Sequence, residues 1–293
     1  MVAPNLTGMG VALVTPFDHN KAIDFKALAS LVDYQIAAGA DYLVVLGTTS
    51  EAPTLDADER AAVMRFVADR VAGRVPLVLG LGGNCTSTIV RELEMLEDPG
   101  YSAILSVVPF YNKPSQEGIY RHYCALDAAS PLPIILYNVP GRTGVNMTAD
   151  TTLRVARDCR RVVAIKEASG RVAQARDIIE GKPEGFSLIA GDDSLTYELM
   201  SIGAVGVISV IGNALPGEFA EMVHTALSGD LLKAKALDDQ LRAYYPLLSV
   251  DGNPAGIKSL LSIMGRIDNE LRLPLVPASE DTHNRLSRVW SER

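Results

Sequence analysis

The segment Val162-Val163-Ala164-Ile165-Lys166-Glu167-Ala168-Ser169-Gly170 carries one lysine inside a run that otherwise has the composition of a fully buried strand. An ammonium group in an apolar interior is costly unless it is paired or gives up its proton, and the neutral amine is a nucleophile. Two readings are open at this point: a strand-end lysine whose head reaches solvent or a carboxylate, or an amine that forms a Schiff base with a carbonyl substrate. Alternation along a strand places Ala164, Lys166 and Ala168 on one face and Ile165 and Glu167 on the other. The lysine therefore has small same-face neighbours that leave room for a small ligand, and Glu167 points away from it. A Schiff base also needs a proton shuttle for loss of water, a task tyrosine performs. Tyr137 and Tyr111 each stand at the end of an apolar run, and Thr48 ends another, so their three hydroxyls are candidates for a relay. Thr49 with nearby backbone amides suits one carboxylate, and Arg142 suits a second by a bidentate contact. Each also has an ordinary structural reading, the tyrosines as amphipathic rim residues and the arginine as a solvated loop side chain.

Such residues need elements that bring them to one place. Short apolar runs at 10–17, 41–47, 76–82, 103–110, 133–139, 162–168, 186–191 and 205–211 alternate with segments of helical period, among them 25–38, 56–72, 86–97 and 148–159. Gly39, Gly73 and Gly100 follow helical segments as C-terminal caps do, and Asp56 with Glu59 has the spacing of a capping box. Eight near-continuous apolar strands, each followed by a helix, predict parallel strands covered by helices, and eight is the number that closes an α/β TIM (β/α)8 barrel. An open doubly wound sheet would normally carry fewer strands, and no strand here is followed by GxGxxG. Beyond the eighth strand only helical segments follow, at 216–227, 230–248, 254–264 and 279–291, with Pro274 and Pro277 holding an extended connection between the last two. The expected organisation is a catalytic barrel over residues 1–228 and a small C-terminal helical extension over residues 229–293. In such barrels the active site forms at the carboxyl ends of the strands, where Thr48, Thr49, Tyr111, Tyr137, Arg142 and the segment Gly191-Asp192-Asp193 all stand.

Composition narrows the partners. The chain has 293 residues, 48% hydrophobic and 21% charged, enough for a large core and without the signature of disorder. A formal net charge of -8 argues against non-specific binding of nucleic acid or anionic membranes and leaves a small molecule as the expected partner. Cys85, Cys124 and Cys159 are widely spaced, and His19, His122, His224 and His283 are scattered, so neither a disulfide framework nor a metal site is indicated. The expected chemistry uses no metal and no cofactor. No apolar run approaches the roughly 18 residues that span a bilayer, and the N-terminus lacks a leader pattern, so a cytoplasmic location is expected.

Together, Gly47-Thr48-Thr49-x-Glu51, Tyr137-Asn138-Val139-Pro140-x-Arg142-Thr143-Gly144, Ile165-Lys166-Glu167-Ala168-Ser169-Gly170, Gly191-Asp192-Asp193 and Gly206-Val207-Ile208-Ser209 resemble the dihydrodipicolinate synthase family, from about Gly8 to Leu275. The resemblance implies that pyruvate forms a Schiff base with Lys166 and that Tyr137 donates and accepts the proton. It implies that Thr48 and Tyr111 complete the relay, the tyrosine at position 111 reaching the site of an adjacent subunit in a homotetramer built from tight dimers. Thr49 and the backbone near Ile208 would hold pyruvate, Gly191 would line its pocket, and Arg142 would take the carboxylate of L-aspartate 4-semialdehyde. Within the superfamily, 2-keto-3-deoxy sugar acid aldolases are the alternative, sialic acid lyases resemble the chain poorly after Pro140, and a non-catalytic binding relative is disfavoured by the full set of lysine, tyrosines and threonine. Where lysine-inhibited relatives carry histidines, a glutamate and a tyrosine, this chain has Ala57, Arg60, Thr88 and Phe110 while keeping Asn84, which predicts weak or absent inhibition by lysine.

Overall fold

The computed structural model describes residues 4–96 and 100–293. Eight parallel strands close on themselves in chain order: β1 (Gly8–Ala12), β2 (Tyr42–Val45), β3 (Leu77–Gly80), β4 (Ala103–Val107), β5 (Ile134–Asn138), β6 (Val162–Glu167), β7 (Ser187–Ala190) and β8 (Gly206–Ser209). The closing ladder pairs Gly8 with Gly206, Gly10 with Ile208 and Val11 with Ser209. Around the barrel run α1 (Phe25–Ala37), α2 (Ala57–Val71), α3 (Thr86–Glu94), α4 (Gln116–Ala129), α5 (Pro140–Thr143), α6 (Ala149–Asp158), α7 (Val172–Gly181), α8 (Thr196–Ser201) and α9 (Pro216–Leu227), followed by α10 (Leu231–Leu241), α11 (Ala255–Ile263) and α12 (Glu280–Ser291). Among the described residues no helix is long and apolar enough to cross a membrane.

The strands form where Val, Ile and Leu run together because both faces are buried, one by helices and one by the barrel interior. Outward-facing residues such as Leu43, Ile104, Ile165 and Leu188 join the helices in one large cluster. Inward-facing residues, among them Tyr42, Val44, Leu105, Ile135, Tyr137 and Ala164, form a second. Gly10 belongs to this inner layer because a Cβ there would lie 2.1 Å from the Tyr42 ring. The helices start where a side chain takes an otherwise unbonded N–H. Asp24, Ser115, Thr148, Asp230 and Ser279 each do so, and Asp56 with Glu59 forms the reciprocal capping box, each cap being worth about 1 kcal/mol.

Three expectations need correction. The first strand is centred earlier than the 10–17 run, because the chain leaves the ladder after Ala12 and Pro16 has no N–H to give it. The segment 230–248 is not one helix: α10 ends at Leu241 and turns follow through 250, a break at the helix-disfavouring Pro246. Gly39 and Gly73 do adopt left-handed geometry after α1 and α2. The third helix, however, ends at Glu94 with Met95 as its cap, so Gly100 does not cap it, and Glu97 lies outside the described residues.

His122 on α4 is 3% exposed, with Nδ1 2.8 Å from the Thr86 hydroxyl, and burial pushes its pKa down to about 4. The unfolded chain therefore takes up a proton there, between about pH 6.5 and 4, that the folded chain refuses. The stability this ring contributes is complete above pH 6.5 and drains away as pH falls through that window. On moving from pH 7 to pH 5, wild type is expected to lose about 2 kcal/mol more than His122→Gln; urea unfolding at the two pH values measures this, and equal losses would refute it.

Candidate active site at the carboxyl end of the barrel

Lys166 sits near the end of β6 with Tyr137 of β5 and Ile189 of β7 as its ladder neighbours. Its side chain points inward, as alternation requires: it is 5% exposed, and Nζ lies 4.5 Å from the centroid of the Tyr137 ring. Among the described residues no carboxylate lies within ion-pair distance of it. Gly191, after β7, leaves the space beside it, since a Cβ there would stand 3.1 Å from Cγ of Lys166 and 2.6 Å from Cβ of Ala168. Ile208 is 1% exposed on the inner face of β8.

Glu167 points the other way and is buried at 3% exposure, with no cation paired to it among the described residues. Its carboxylate instead accepts from the Asn138 amide at 3.0 Å, the Ser169 N–H at 2.6 Å and the Gln174 amide at 3.1 Å. Asn138 Oδ1 in turn accepts from the Met147 N–H at 3.0 Å. The residues adjacent in sequence to Tyr137 and Lys166 thus tie β5 to β6 on the outer side while those two side chains face the interior.

A cavity of about 970 Å³ opens over this end, with Thr48, Tyr137, Arg142 and Asn253 in its wall. Thr48 and Thr49 lie on a 3-10 turn, Thr48–Ser50, that follows β2. Thr49 is 2% exposed, and its hydroxyl accepts from the Asn253 side-chain amide at 2.9 Å. Arg142, exposed on the short helix α5, reaches the Asn253 carbonyl at 3.4 Å, and among the described residues no carboxylate pairs with it. After β7, Asp193 accepts from the N–H groups of Val210 and Ile211 at 3.0 and 2.7 Å, which holds the turn after β8. Burial pushes its carboxyl up to about 6. Among the described residues no group of three or more His, Cys, Asp or Glu is placed to hold a metal ion.

The fold thus gathers Lys166, Tyr137, Thr48, Thr49, Arg142, Gly191 and Ile208 at one end of the barrel. Tyr111 does not join them within one chain. Its backbone is left-handed, φ 71°, with its N–H on the Thr143 carbonyl, and this throws the side chain outward to 87% exposure. The expected hydroxyl chain from Tyr137 through Thr48 to Tyr111 is therefore not closed by hydrogen bonds within one chain. Sequence reasoning passed over Asn253, because it confined the site to strand ends and read everything after the eighth strand as an extension. The helix-breaking Gly252-Asn253-Pro254 inside an otherwise helical stretch was the available signal.

Fold and site define a (β/α)8 barrel protein with a buried, inward-facing lysine and a cavity at the carboxyl ends of its strands. The sequence pattern of the Dihydrodipicolinate synthetase family matches residues 5–293. The chain is 57% identical over 285 residues to the 4-hydroxy-tetrahydrodipicolinate synthase of Parabacteroides distasonis, covering 97% of this chain and 96% of that one. The crystal structure of dihydrodipicolinate synthase from Thermotoga maritima superposes with a TM-score of 0.95 at 40% identity, covering 98% of each chain. A chloride-inhibited dihydrodipicolinate synthase from Acinetobacter baumannii, solved in complex with pyruvate, gives 0.95 at 37% identity over 98% of this chain and 99% of that one. The chain belongs to the dihydrodipicolinate synthase family.

Removing the Glu167 carboxylate takes an acceptor from one buried donor, the Asn138 amide, and from two half-buried ones, the Ser169 N–H and the Gln174 amide. Glu167→Ala is expected to cost about 2–4 kcal/mol of stability, seen as a lower urea midpoint at unchanged slope; a loss under about 1 kcal/mol would show that these donors find other partners.

Proposed function

We propose that the chain is a 4-hydroxy-tetrahydrodipicolinate synthase, a lyase that condenses pyruvate with L-aspartate 4-semialdehyde in diaminopimelate and lysine biosynthesis. The observation that carries this reading is the buried Lys166, unpaired by any described carboxylate and set against the Tyr137 ring. It is supported by relatives that bear this name along nearly the whole chain. Nζ of Lys166 adds to C2 of pyruvate, and the carbinolamine loses water as Tyr137 supplies the proton that leaves with the hydroxyl. Loss of a proton from C3 then gives the enamine, and C3 forms the new bond to the aldehyde carbon, whose oxygen takes up a proton. The amino group of the semialdehyde attacks C2, the ring closes, and Lys166 leaves as the free amine.

Thr48 passes protons between Tyr137 and solvent, Thr49 and the backbone beside Ile208 hold the pyruvate carboxylate, and the absent side chain of Gly191 gives pyruvate its space. Arg142 offers its fork of N–H donors to the carboxylate of the semialdehyde. The outward reach of Tyr111 suits a partner subunit completing the relay, so we infer a homotetramer assembled from tight dimers, working in the cytoplasm. No metal or cofactor is needed for any step, because the iminium nitrogen itself serves as the electron sink.

Two measurements test this. Incubation with pyruvate and borohydride is expected to leave a stable adduct on Lys166 and none in Lys166→Ala; an unmodified wild type would overturn the Schiff-base reading. In an assay coupled to the next reductase, Arg142→Ala is expected to lower kcat/KM for the semialdehyde by about 10- to 100-fold, the worth of a charge-assisted pair. Unchanged turnover would remove the second-carboxylate argument.

With Ala57, Arg60 and Phe110 in the outer wall of the cavity and Thr88 on α3, lysine finds neither carboxylate nor imidazole from these positions. A lysine titration of the coupled reaction is expected to show no inhibition below millimolar concentration, and sub-millimolar inhibition would refute it.

A further inference from the structure

The C-terminal segment grips the mouth of the barrel through a buried ion pair. Lys258 on α11 and Glu51, the residue that ends the Thr48–Ser50 turn, have fully buried side chains, with Nζ and Oε1 2.5 Å apart. The same Nζ donates to the Glu270 carbonyl at 2.9 Å and lies 4.1 Å from the centroid of the Phe17 ring. The second carboxylate oxygen of Glu51 accepts from the Arg272 N–H at 3.0 Å. Burial outweighs the attraction of Glu51 and draws the Lys258 pKa down to about 8.

Glu51 also has a strained backbone, φ 57° and ψ 31°, a left-handed conformation that a residue with a Cβ avoids unless its surroundings impose it. Local propensity therefore does not hold the turn that carries Thr48 and Thr49. What holds it is the side chain of Glu51, locked to Lys258 and to the Arg272 backbone some two hundred residues further on. The Thr49 hydroxyl is oriented from the same segment, by the Asn253 amide at 2.9 Å.

Resting on the assignment of Thr48 to the proton relay and Thr49 to pyruvate, we propose that Glu51 and Lys258 are positioning residues for the reaction. Neither needs to touch substrate. Together they clamp the turn after β2 so that both threonine hydroxyls face the Lys166–Tyr137 pocket, which makes the C-terminal helices part of the working site rather than an appendage.

Removing one member of a buried pair leaves an uncompensated charge, whereas replacing both by neutral groups of similar size is often tolerated. The double variant Glu51→Gln/Lys258→Met therefore separates stability from positioning. The test uses the full-length enzyme in the coupled assay with each substrate varied. Lys258→Met is expected to lower kcat at least tenfold and to raise the pyruvate KM at least tenfold, leaving the semialdehyde KM within twofold because Arg142 is carried by α5 and meets the C-terminal segment only through a long 3.4 Å contact to the Asn253 carbonyl. The double variant, folded by circular dichroism, is expected to keep both defects. If it instead returns kcat and pyruvate KM to within twofold of wild type, the pair is merely structural and the proposal is overturned. Should Lys258→Met fail to fold, the double variant carries the test alone. Failure of the underlying catalytic reading would be seen separately, as absence of a borohydride-trapped pyruvate adduct in the wild type; failure of the positioning proposal leaves that adduct intact.

Discussion

Closure of eight parallel strands confines everything else in this protein. Once β8 pairs with β1, only alternate residues of each strand can enter the barrel, and their volumes must sum to fill it. Tyr42 occupies the space that Gly10 leaves, and the inner layer of Val44, Leu105, Ile135 and Ala164 closes the floor. At the carboxyl end the inner layer finishes in Tyr137 and Lys166, and the loops leave a cavity.

The treatment of charge at that end sets Lys166 apart from its buried neighbours. Glu51 faces Lys258, Glu167 is wrapped by side-chain and backbone N–H groups, and Asp193 takes two backbone N–H groups. In each case the desolvated group has recovered polar partners, which is the condition for burying it. Lys166 faces an aromatic ring instead. Lys166 thus has no described carboxylate as a partner, while the surrounding charged groups are spent on rigidity. Glu167 and Asn138, one position along from Lys166 and Tyr137, fasten β5 to β6 from behind. This arrangement is how a preorganised site is kept from relaxing.

The C-terminal helices contribute to the same rigidity. Tyr244, Leu247, Leu260, Leu261 and Leu286 belong to the main apolar cluster, so the extension shares the core of the barrel. Arg272 reinforces it by pairing with Glu59 and accepting no freedom of its own: its guanidinium also meets the carbonyls of Lys21 and Thr54. The loops after β1 and β2 are thereby tied to a segment that follows the last strand.

Much of this was legible in the residues alone. Near-continuous apolar runs determined eight buried strands, period-two alternation determined that Lys166 and Glu167 face opposite ways, and Asp56 with Glu59 determined a helix start, because each depends on neighbours within a few positions. Prolines limit the helices, although around Pro246 the apolar period of the neighbouring residues masks the break. Tertiary structure alone decided that Tyr111 turns outward, that Asn253 meets Thr49 across 204 positions of chain, and that Lys258 neutralises Glu51. Those partnerships depend on which loops barrel closure brings together, and a local pattern of hydrophobicity carries no record of its distant neighbours.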